Sequence, residues 1–331
     1  MTLLRLLRTL AGVSLAAGLC LPAASALAAD TASFPARPVT LVIPFPPGGA
    51  TDVLGRVIAQ RMSRELGQNI VADNRAGAGT IIGAAYVAKA APDGYTLLVS
   101  SGTTFTVNPA IRKNLPYDPV KSFEPIGIAG RTGLILLANK DVPVDTFKQF
   151  VAYAKASPDK YAYGSFGSGT TAHFAGETVL RAAGLKMAHV PYKGSAPAMT
   201  DLIGGQIPFA VDTVSAAIPQ LANGKIKAIA VTTAKRSALL PNVPTMAESG
   251  YPDIQMDTWL VVAAPRGLPP AVKARLDAAL AATMADPETQ AKLVAMGMDP
   301  SYSTGAAASA LIDKELPVMR AVAARSNITA D

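Results

Sequence analysis

The 331-residue chain has few of the side chains on which most metal proteins and many enzymes depend. It contains one cysteine, Cys20, and two histidines, His173 and His189. A lone cysteine forms no internal disulfide, and the two histidines match no zinc or metalloprotease motif. Charged residues make up only 16% of the chain, and no basic run or aromatic ladder accompanies the net charge of +7. These absences argue against a metal site, a disulfide scaffold and nucleic-acid binding.

The first 28 residues have the order of an export signal. Arg5 and Arg8 precede an apolar run over residues 10–21, and residues 26–28 fit a small-residue cleavage site. An uncleaved membrane anchor is the alternative, but the apolar run is short for a spanning helix. We therefore predict a cleaved signal peptide over residues 1–28 and a periplasmic mature protein, without its cysteine.

The remaining chain alternates between short apolar segments rich in β-branched residues and segments with helical spacing. This alternation predicts an α/β protein with mainly parallel sheets flanked by helices. Its length fits two lobes. We assign residues 29–130 and 254–331 to lobe 1 and residues 131–253 to lobe 2, with a ligand cleft between them.

Two turns rich in Gly, Ser and Thr share one layout. Residues 44–52 and residues 165–171 each follow a predicted strand and precede a predicted helix. Such a turn directs free backbone N–H groups and the positive end of a helix dipole at one point, which favours an anion. A single turn of this kind is more often only a tight connection. Two of them, with the polar residues 101–104, predict a shared anion site at the carboxyl ends of the strands.

Several other residues near strand ends have more than one interpretation. The pattern at residues 167–172 resembles a dinucleotide fingerprint, but no acidic residue closes the next strand. His173 is either a ligand contact or a capping or surface histidine. Asp212 either accepts a hydrogen bond from a ligand hydroxyl or amino group, or caps a helix. A hydrolase using Ser168 with His173 lacks an orienting acid.

No catalytic residue, metal site or cofactor is predicted. The predicted ligand-binding residues lie in the two turns, at neighbouring strand ends and in the following helices. They are Phe45, Gly48, Gly49, Ala50, Thr51, Asp52, Ser101, Thr103, Ser165, Gly167, Ser168, Gly169, Thr170, His173, Tyr192 and Asp212. Of these, Asp52 is expected mainly to stabilise its turn, since its charge would repel a nearby anion.

Specific segments along nearly the whole mature chain resemble one family, the Bug/TctC receptors. These are the periplasmic solute-binding proteins of tripartite tricarboxylate transport systems. The matching segments are PFPPGGATD at residues 44–52, DNRAGAG at 73–79, PDGYTL at 92–97, LPYDP at 115–119, VPYKG at 190–194, and LPNVPT at 240–245 with Glu248. One departure is Ala76, where many members have proline after the arginine.

The resemblance implies a two-lobed periplasmic-binding-protein fold of type II-like topology, whose lobes close on a ligand. It implies a small carboxylate ligand: a dicarboxylate, an aromatic acid or an acidic amino acid. The two Gly-rich turns would grip one carboxylate through backbone amides and ordered water. The expected partners of this monomer are the membrane components of the transporter. A sensor subunit that presents ligand to a signalling receptor is the alternative, and the carboxylate itself is left open.

Overall fold

A computed structural model describes residues 34–329, so the predicted signal peptide lies outside the described residues. Most strands are short and apolar, as their β-branched composition predicts. The strands are β1 (Val39–Ile43), β2 (Ile70–Asn74), β3 (Thr96–Ser101), β4 (Phe123–Asn139), β5 (Ala162–Ser165), β6 (Ala188–Pro191), β7 (Phe209–Thr213), β8 (Ile226–Val231), β9 (Asp257–Pro265) and β10 (Ser303–Thr304).

The helices connect these strands and cover the sheet. They are α1 (Ala50–Leu66), α2 (Ile81–Ala88), α3 (Asn108–Ile111), α4 (Phe147–Lys155), α5 (Thr171–Ala182), α6 (Ser195–Ile203), α7 (Val214–Leu221), α8 (Pro270–Ala285), α9 (Pro287–Ala295) and α10 (Gly305–Ser326). Across residues 34–329, none of them combines the length and apolarity needed to cross a bilayer.

The strands form one curved sheet with the order β2-β1-β3-β9-β4-β7-β5-β6, and β8 and β10 also pair with β4. β1 pairs in parallel with β2 and β3. β5 pairs in parallel with β6 and β7. Antiparallel β9 and β4 lie between these two groups. The prediction of an α/β fold with two groups of parallel strands is confirmed, and the central strands make the sheet mixed.

The long strand β4 corrects one sequence-based interpretation. The sequence indicates a crossover between the lobes at residues 126–129 and a separate strand at residues 134–138, with a lobe boundary near residue 131. Instead β4 runs unbroken for 17 residues. Its first part pairs with β9, including Arg131 with Trp259, and its second part pairs with β7 and β8. Pairing with β9 keeps Gly130 and Gly133 extended, so β4 crosses the predicted boundary. The exact lobe limits stay a prediction.

Separate apolar clusters pack on the two parts of the sheet. In lobe 1, Phe105 packs with ring centroids 5.4 Å from Phe123 and 6.0 Å from Trp259. In lobe 2, Phe150 meets Phe209 edge to face at 4.8 Å. All five side chains are buried. Full burial of such rings contributes roughly 2–3 kcal/mol each, enough to make each cluster a stable base for the adjoining turns.

Candidate functional site

A small cavity lies where the two groups of parallel strands meet. Both predicted lobes supply its walls. The lining residues are Phe45, Pro46, Gly49, Ala50, Thr51, Ser101, Phe166, Thr171, Gly194, Ser195, Thr213 and Thr258. Among these described residues there is no Lys, Arg, Asp, Glu or His. The cavity is therefore uncharged in its side chains, and any charge preference must come from backbone groups.

The first Gly-rich turn reaches this cavity with its backbone. Gly48 has φ +93°, a conformation that favours glycine. Gly49 is extended and begins α1, and no side chain in the described chain caps that helix end. Ala50 and Thr51, the first residues of α1, line the cavity beside Gly49. The N–H groups at the start of α1 are thus left for a ligand rather than for a capping side chain.

Asp52 stabilises this turn from behind the cavity. Its carboxylate accepts hydrogen bonds from the Gly48 N–H at 3.0 Å, from Arg56 Nε at 3.0 Å and from Asn74 Nδ2 at 2.9 Å. Asn74 Nδ2 also donates to the Phe45 carbonyl at 2.9 Å. Burial raises the pKa of Asp52, but these hydrogen bonds outweigh it and the pKa is lowered overall. Asp52 is therefore an ionised support of the turn.

A third turn, which the sequence analysis did not select, contributes the opposite wall. Gly194 has φ +107° and precedes α6, and no described side chain caps this helix either. A Cβ at Gly194 would lie 2.8 Å from Pro46 Cγ, so only glycine fits against the first turn. Ser195, the first residue of α6, lies opposite Gly49, whose ideal Cβ position is 3.4 Å from Ser195 Oγ. The sequence signal for this turn is Gly194 itself, a glycine that ends the segment at residues 190–194 and precedes a predicted helix.

The second Gly-rich turn faces the cavity less directly. Thr170 caps α5, with its Oγ1 accepting from the His173 N–H. The Gly169 N–H donates to His173 Nδ1 at 3.3 Å. Of this turn and the first turn of α5, Phe166 and Thr171 line the cavity. The Thr171 N–H donates to Thr103 Oγ1 at 3.2 Å, which joins the two lobes.

The two histidines lie together beneath the second turn. The His173 and His189 rings stack with centroids 4.0 Å apart and planes 12° apart. His189 Nε2 is 2.7 Å from Ser165 Oγ. Burial lowers the pKa of His173 to about 4, and burial with the neighbouring ring lowers that of His189 to about 3. Both rings are neutral at pH 7, and they act as supports of the turn. Neither His173 nor Ser168 lines the cavity.

Several hydroxyl groups line the cavity, and two of them have no partner in the described structure. Ser101, at the end of β3, and Thr258, in β9, line it from lobe 1. The hydroxyls of Thr171 and Thr258 are buried and have no hydrogen-bond partner in the described structure. Buried hydroxyls are normally hydrogen-bonded, so these two are poised to contact a polar ligand.

Asp212 lies at the end of β7 and is fully buried. Its Oδ1 accepts from Ser195 Oγ at 2.9 Å and from the Thr213 N–H at 2.7 Å. The helix cap of α7 is Thr213, which accepts from the Ala216 N–H, so the interpretation of Asp212 as a cap is wrong. Burial raises the pKa of Asp212 to about 7.

Tyr192 is a predicted site residue that the structure places outside the cavity lining. Its hydroxyl donates to Asp201 Oδ2 at 2.7 Å. Burial and the Asp201 carboxylate raise its pKa to about 12. The aromatic side chains that do line the cavity are Phe45 and Phe166, which meet edge to face at 6.2 Å.

The predicted site residues thus fall into groups. Phe45, Gly49, Ala50, Thr51 and Ser101 line the cavity. The others form the turns, close the lobes or lie behind the wall: Gly48, Asp52, Thr103, Ser165, Gly167, Ser168, Gly169, Thr170, His173, Tyr192 and Asp212. Residues outside the predicted set also line the cavity, of which the first three lie within the predicted turns: Pro46, Phe166, Thr171, Gly194, Ser195, Thr213 and Thr258.

Comparison with protein families identifies the chain. A family model described as the tripartite tricarboxylate transporter family receptor, TctC, matches residues 54–327. The chain belongs to the TctC family. It is 35% identical over 305 residues to protein BugT of Bordetella pertussis, covering 92% of each chain. It is 37% identical over 292 residues to a UPF0065 protein from the tcbD-tcbE intergenic region of Pseudomonas sp. strain P51, covering 88% of this chain and 85% of that one.

Solved structures of similar proteins have the same architecture. The periplasmic binding protein BugD aligns with a TM-score of 0.85 at 35% identity, covering 89% of this chain and 99% of BugD. Rpa4515 of R. palustris, solved with adipate, aligns with a TM-score of 0.87 at 35% identity and the same coverage. MatC from Rhodopseudomonas palustris, with bound malate, aligns at 0.82 and 32% identity, covering 87% of this TctC-family chain and 99% of MatC. The resemblance to Bug/TctC receptors and the two-lobed binding-protein fold are confirmed.

Proposed function

We propose that this TctC-family protein captures a small carboxylate in the cavity between its lobes and delivers it to a membrane transporter. The observation that carries the proposal is the convergence of two uncapped helix amino ends, those of α1 and α6, on an uncharged cavity. Similar proteins bind adipate and malate in their structures. Both ligands are dicarboxylates.

The physical basis is backbone electrostatics rather than ion pairing. A helix amino end carries a partial positive charge and unpaired N–H donors, both of which favour a carboxylate. The amino ends of α1 and α6 line the cavity without a side-chain cap, whereas those of α5 and α7 line it with threonine caps. The partnerless hydroxyls of Thr171 and Thr258 supply further donors. Phe45 and Phe166 offer apolar surface to the carbon skeleton of the ligand.

The proposed role involves binding without chemical change of the ligand. The description of the family is that of a receptor, and BugD is a periplasmic binding protein. The sequence pattern of residues 1–28 supports export to the same compartment. In the described chain, no group of three or more His, Cys, Asp or Glu residues is arranged to bind a metal ion. Ligand delivery then depends on the closed lobes meeting a membrane component.

A thermal-shift screen followed by calorimetry tests the binding step. We expect carboxylic acids such as succinate, malate, aspartate and adipate to include a ligand that stabilises the protein by about 2.7 kcal/mol at 100 times its dissociation constant. The matched controls are the corresponding diamides, which keep the shape and lose the charge. Absence of binding by every carboxylate, or equal binding by the diamides, would refute carboxylate capture. Uptake of labelled ligand by cells with and without the protein tests delivery.

A further inference from the structure

The environment of Asp212 determines which hydrogen bonds the cavity residue Ser195 can form. Asp212 is fully buried, and its Oδ1 accepts from the Thr213 N–H at 2.7 Å and from Ser195 Oγ at 2.9 Å. The Thr213 hydroxyl lies 3.3 Å from the same oxygen. Asp212 Oδ2 is buried and has no hydrogen-bond partner in the described structure. A proton on Asp212 therefore belongs on Oδ2, and Oδ1 remains an acceptor in either protonation state.

The bond to Asp212 limits the hydrogen bonds that the Ser195 hydroxyl can form with a ligand. A serine has one hydrogen to donate and two lone pairs to accept. The Ser195 hydrogen is used in the bond to Asp212, so only lone pairs of Ser195 Oγ are available to the cavity. Ser195 lies opposite Gly49, against the first Gly-rich turn. Toward the cavity, Ser195 is thus a hydroxyl that can only accept a hydrogen bond.

We propose that the ligand of this cavity carries a hydrogen-bond donor, a hydroxyl or an ammonium group, in addition to its carboxylate, and that Ser195 oriented by Asp212 recognises this donor. The inference rests on the proposed function, since it specifies the class of carboxylate. An unsubstituted dicarboxylate leaves the Ser195 lone pairs unpaired, and burying an unpaired acceptor costs binding free energy. A hydroxy or amino acid satisfies the same acceptor.

A preference for a ligand without a hydrogen-bond donor would require a Ser195 hydroxyl with a free hydrogen. If the Ser195 hydrogen were free, the hydroxyl would donate to a carboxylate oxygen like the backbone amides do. Asp212 prevents this because its carboxyl accepts and, on Oδ1, has no hydrogen to give. Sites built to bond a ligand hydroxyl or amine discriminate strongly against the analogue that lacks it. We therefore assign Asp212 as a positioning residue and Ser195 as the specificity-determining contact.

Three acids with the same four-carbon skeleton make a matched test. Succinate has no donor, malate adds a hydroxyl and aspartate adds an ammonium group. Calorimetry on the mature protein should show malate or aspartate binding at least about tenfold more tightly than succinate. The five-carbon set of glutarate, 2-hydroxyglutarate and glutamate covers a cavity that prefers a longer ligand. Comparing the hydroxy with the amino acid shows which donor the site takes.

Two variants test whether Ser195 and Asp212 cause the difference in affinity between the donor-bearing and the unsubstituted acid. Ser195→Ala should lower the affinity for the donor-bearing acid to within about twofold of that for the unsubstituted acid, while leaving the latter nearly unchanged. Asp212→Ala, which removes the acceptor, should release the Ser195 hydrogen and reduce the ratio of the two affinities. Ser309→Ala on α10, where the serine donates only to the Gly305 carbonyl, is the matched control and should keep the parent ratio.

The outcomes separate the two proposals. A parent protein that binds succinate or glutarate as tightly as its substituted analogues supports carboxylate capture and overturns the donor inference. An unchanged affinity ratio in a folded Ser195→Ala variant also overturns it, whatever the behaviour of Asp212→Ala. If no dicarboxylate of either set binds, and the wider screen of carboxylic acids is also negative, the proposed function fails and the inference falls with it.

Discussion

The two Gly-rich turns look alike in sequence and differ in how their helices begin. The first turn ends at α1, which has no side-chain cap in the described structure, and Gly49, Ala50 and Thr51 line the cavity. The second ends at α5, where Thr170 Oγ1 accepts from the His173 N–H and Thr103 Oγ1 accepts from the Thr171 N–H, and the turn itself is bonded to His173 Nδ1. One turn presents its backbone to the cavity, and the other mainly stabilises the wall.

We infer that side-chain capping determines which Gly-rich turn is available to a ligand. A Ser or Thr at the capping position satisfies the N–H groups that an anion would otherwise bind. We therefore propose the uncapped start of α6 at Gly194 as the lobe 2 counterpart of the first turn. The presence of glycine alone does not make this distinction.

The largest effect is expected when the backbone of the first turn is blocked. Gly49→Val places a branched side chain beside Ser195 Oγ, which lies 3.4 Å from the ideal Cβ position. We expect the affinity for carboxylates to fall about 100-fold, measured by calorimetry. A folded Gly49→Val protein that binds as tightly as the parent would contradict the assignment of this turn to the ligand.

Gly169→Val is the matched change in the second turn. Gly169 has φ +71°, and its Cβ would lie 3.2 Å from Asn108 Oδ1. Backbone strain should lower the free energy of unfolding by about 1–3 kcal/mol. Since Gly169 does not line the cavity, the affinity of the folded variant should fall far less than that of Gly49→Val. Equal losses of affinity in Gly169→Val and Gly49→Val would contradict the proposal that the two turns differ in their contact with the ligand.

Removing the support of the first turn should have the next largest effect. Asp52→Ala deletes the acceptor of the Gly48 N–H, Arg56 and Asn74. We expect the free energy of unfolding to fall by about 2–3 kcal/mol and the affinity for the ligand to decrease. Urea unfolding and calorimetry on one preparation measure both. Asp141→Ala, whose ion pair with Lys140 is exposed, is the control and should change neither.

Acid should act on the second turn through its histidine pair. An unfolded histidine titrates near pH 6.5, whereas folded His173 and His189 titrate near pH 4 and pH 3. Below pH 6.5 the unfolded chain binds more protons, so stability falls as the pH decreases towards 4. From pH 7 to pH 5 we expect each histidine to contribute a loss of about 1–2 kcal/mol, the smaller value for the partly exposed His189.

A double variant isolates this contribution. In His173→Asn with His189→Gln, the amide side chains do not titrate, and urea unfolding at pH 5, 6 and 7 should show a shallower dependence on pH than in the parent. Asp212 works in the opposite direction, since its raised pKa favours the folded state at low pH, but it is present in both proteins. Identical slopes would show that the pair does not control the acid sensitivity.

The smallest effect should come from the cap of the second turn. Thr170→Ala removes the acceptor of the His173 N–H and should lower the free energy of unfolding by about 1 kcal/mol. Ligand affinity should change less than about threefold. Thr170→Ser, which retains the cap, is the matched control. A large loss of affinity with little loss of stability would indicate that the second turn contacts the ligand directly.

Local patterns were sufficient for most of the framework and for the first turn. The alternation of apolar and helical segments predicted the parallel strands on both sides of the cavity, and residues 44–52 predicted Gly49 and its neighbours. The unbroken strand β4 was not predictable in this way. Gly130 and Gly133 resemble loop residues, and only pairing with β9 keeps them extended.

Local sequence was enough to predict where strands and helices alternate, because spacing and β-branching act between near neighbours. Which polar groups meet at the cavity depends instead on tertiary packing. Ser195 and Asp212 are 17 residues apart, and the packing of α6 on β7 joins them. Tyr192 follows β6 but binds Asp201, outside the cavity lining. The direction of a side chain at a strand end depends on the elements packed around it, and no local pattern encodes that packing.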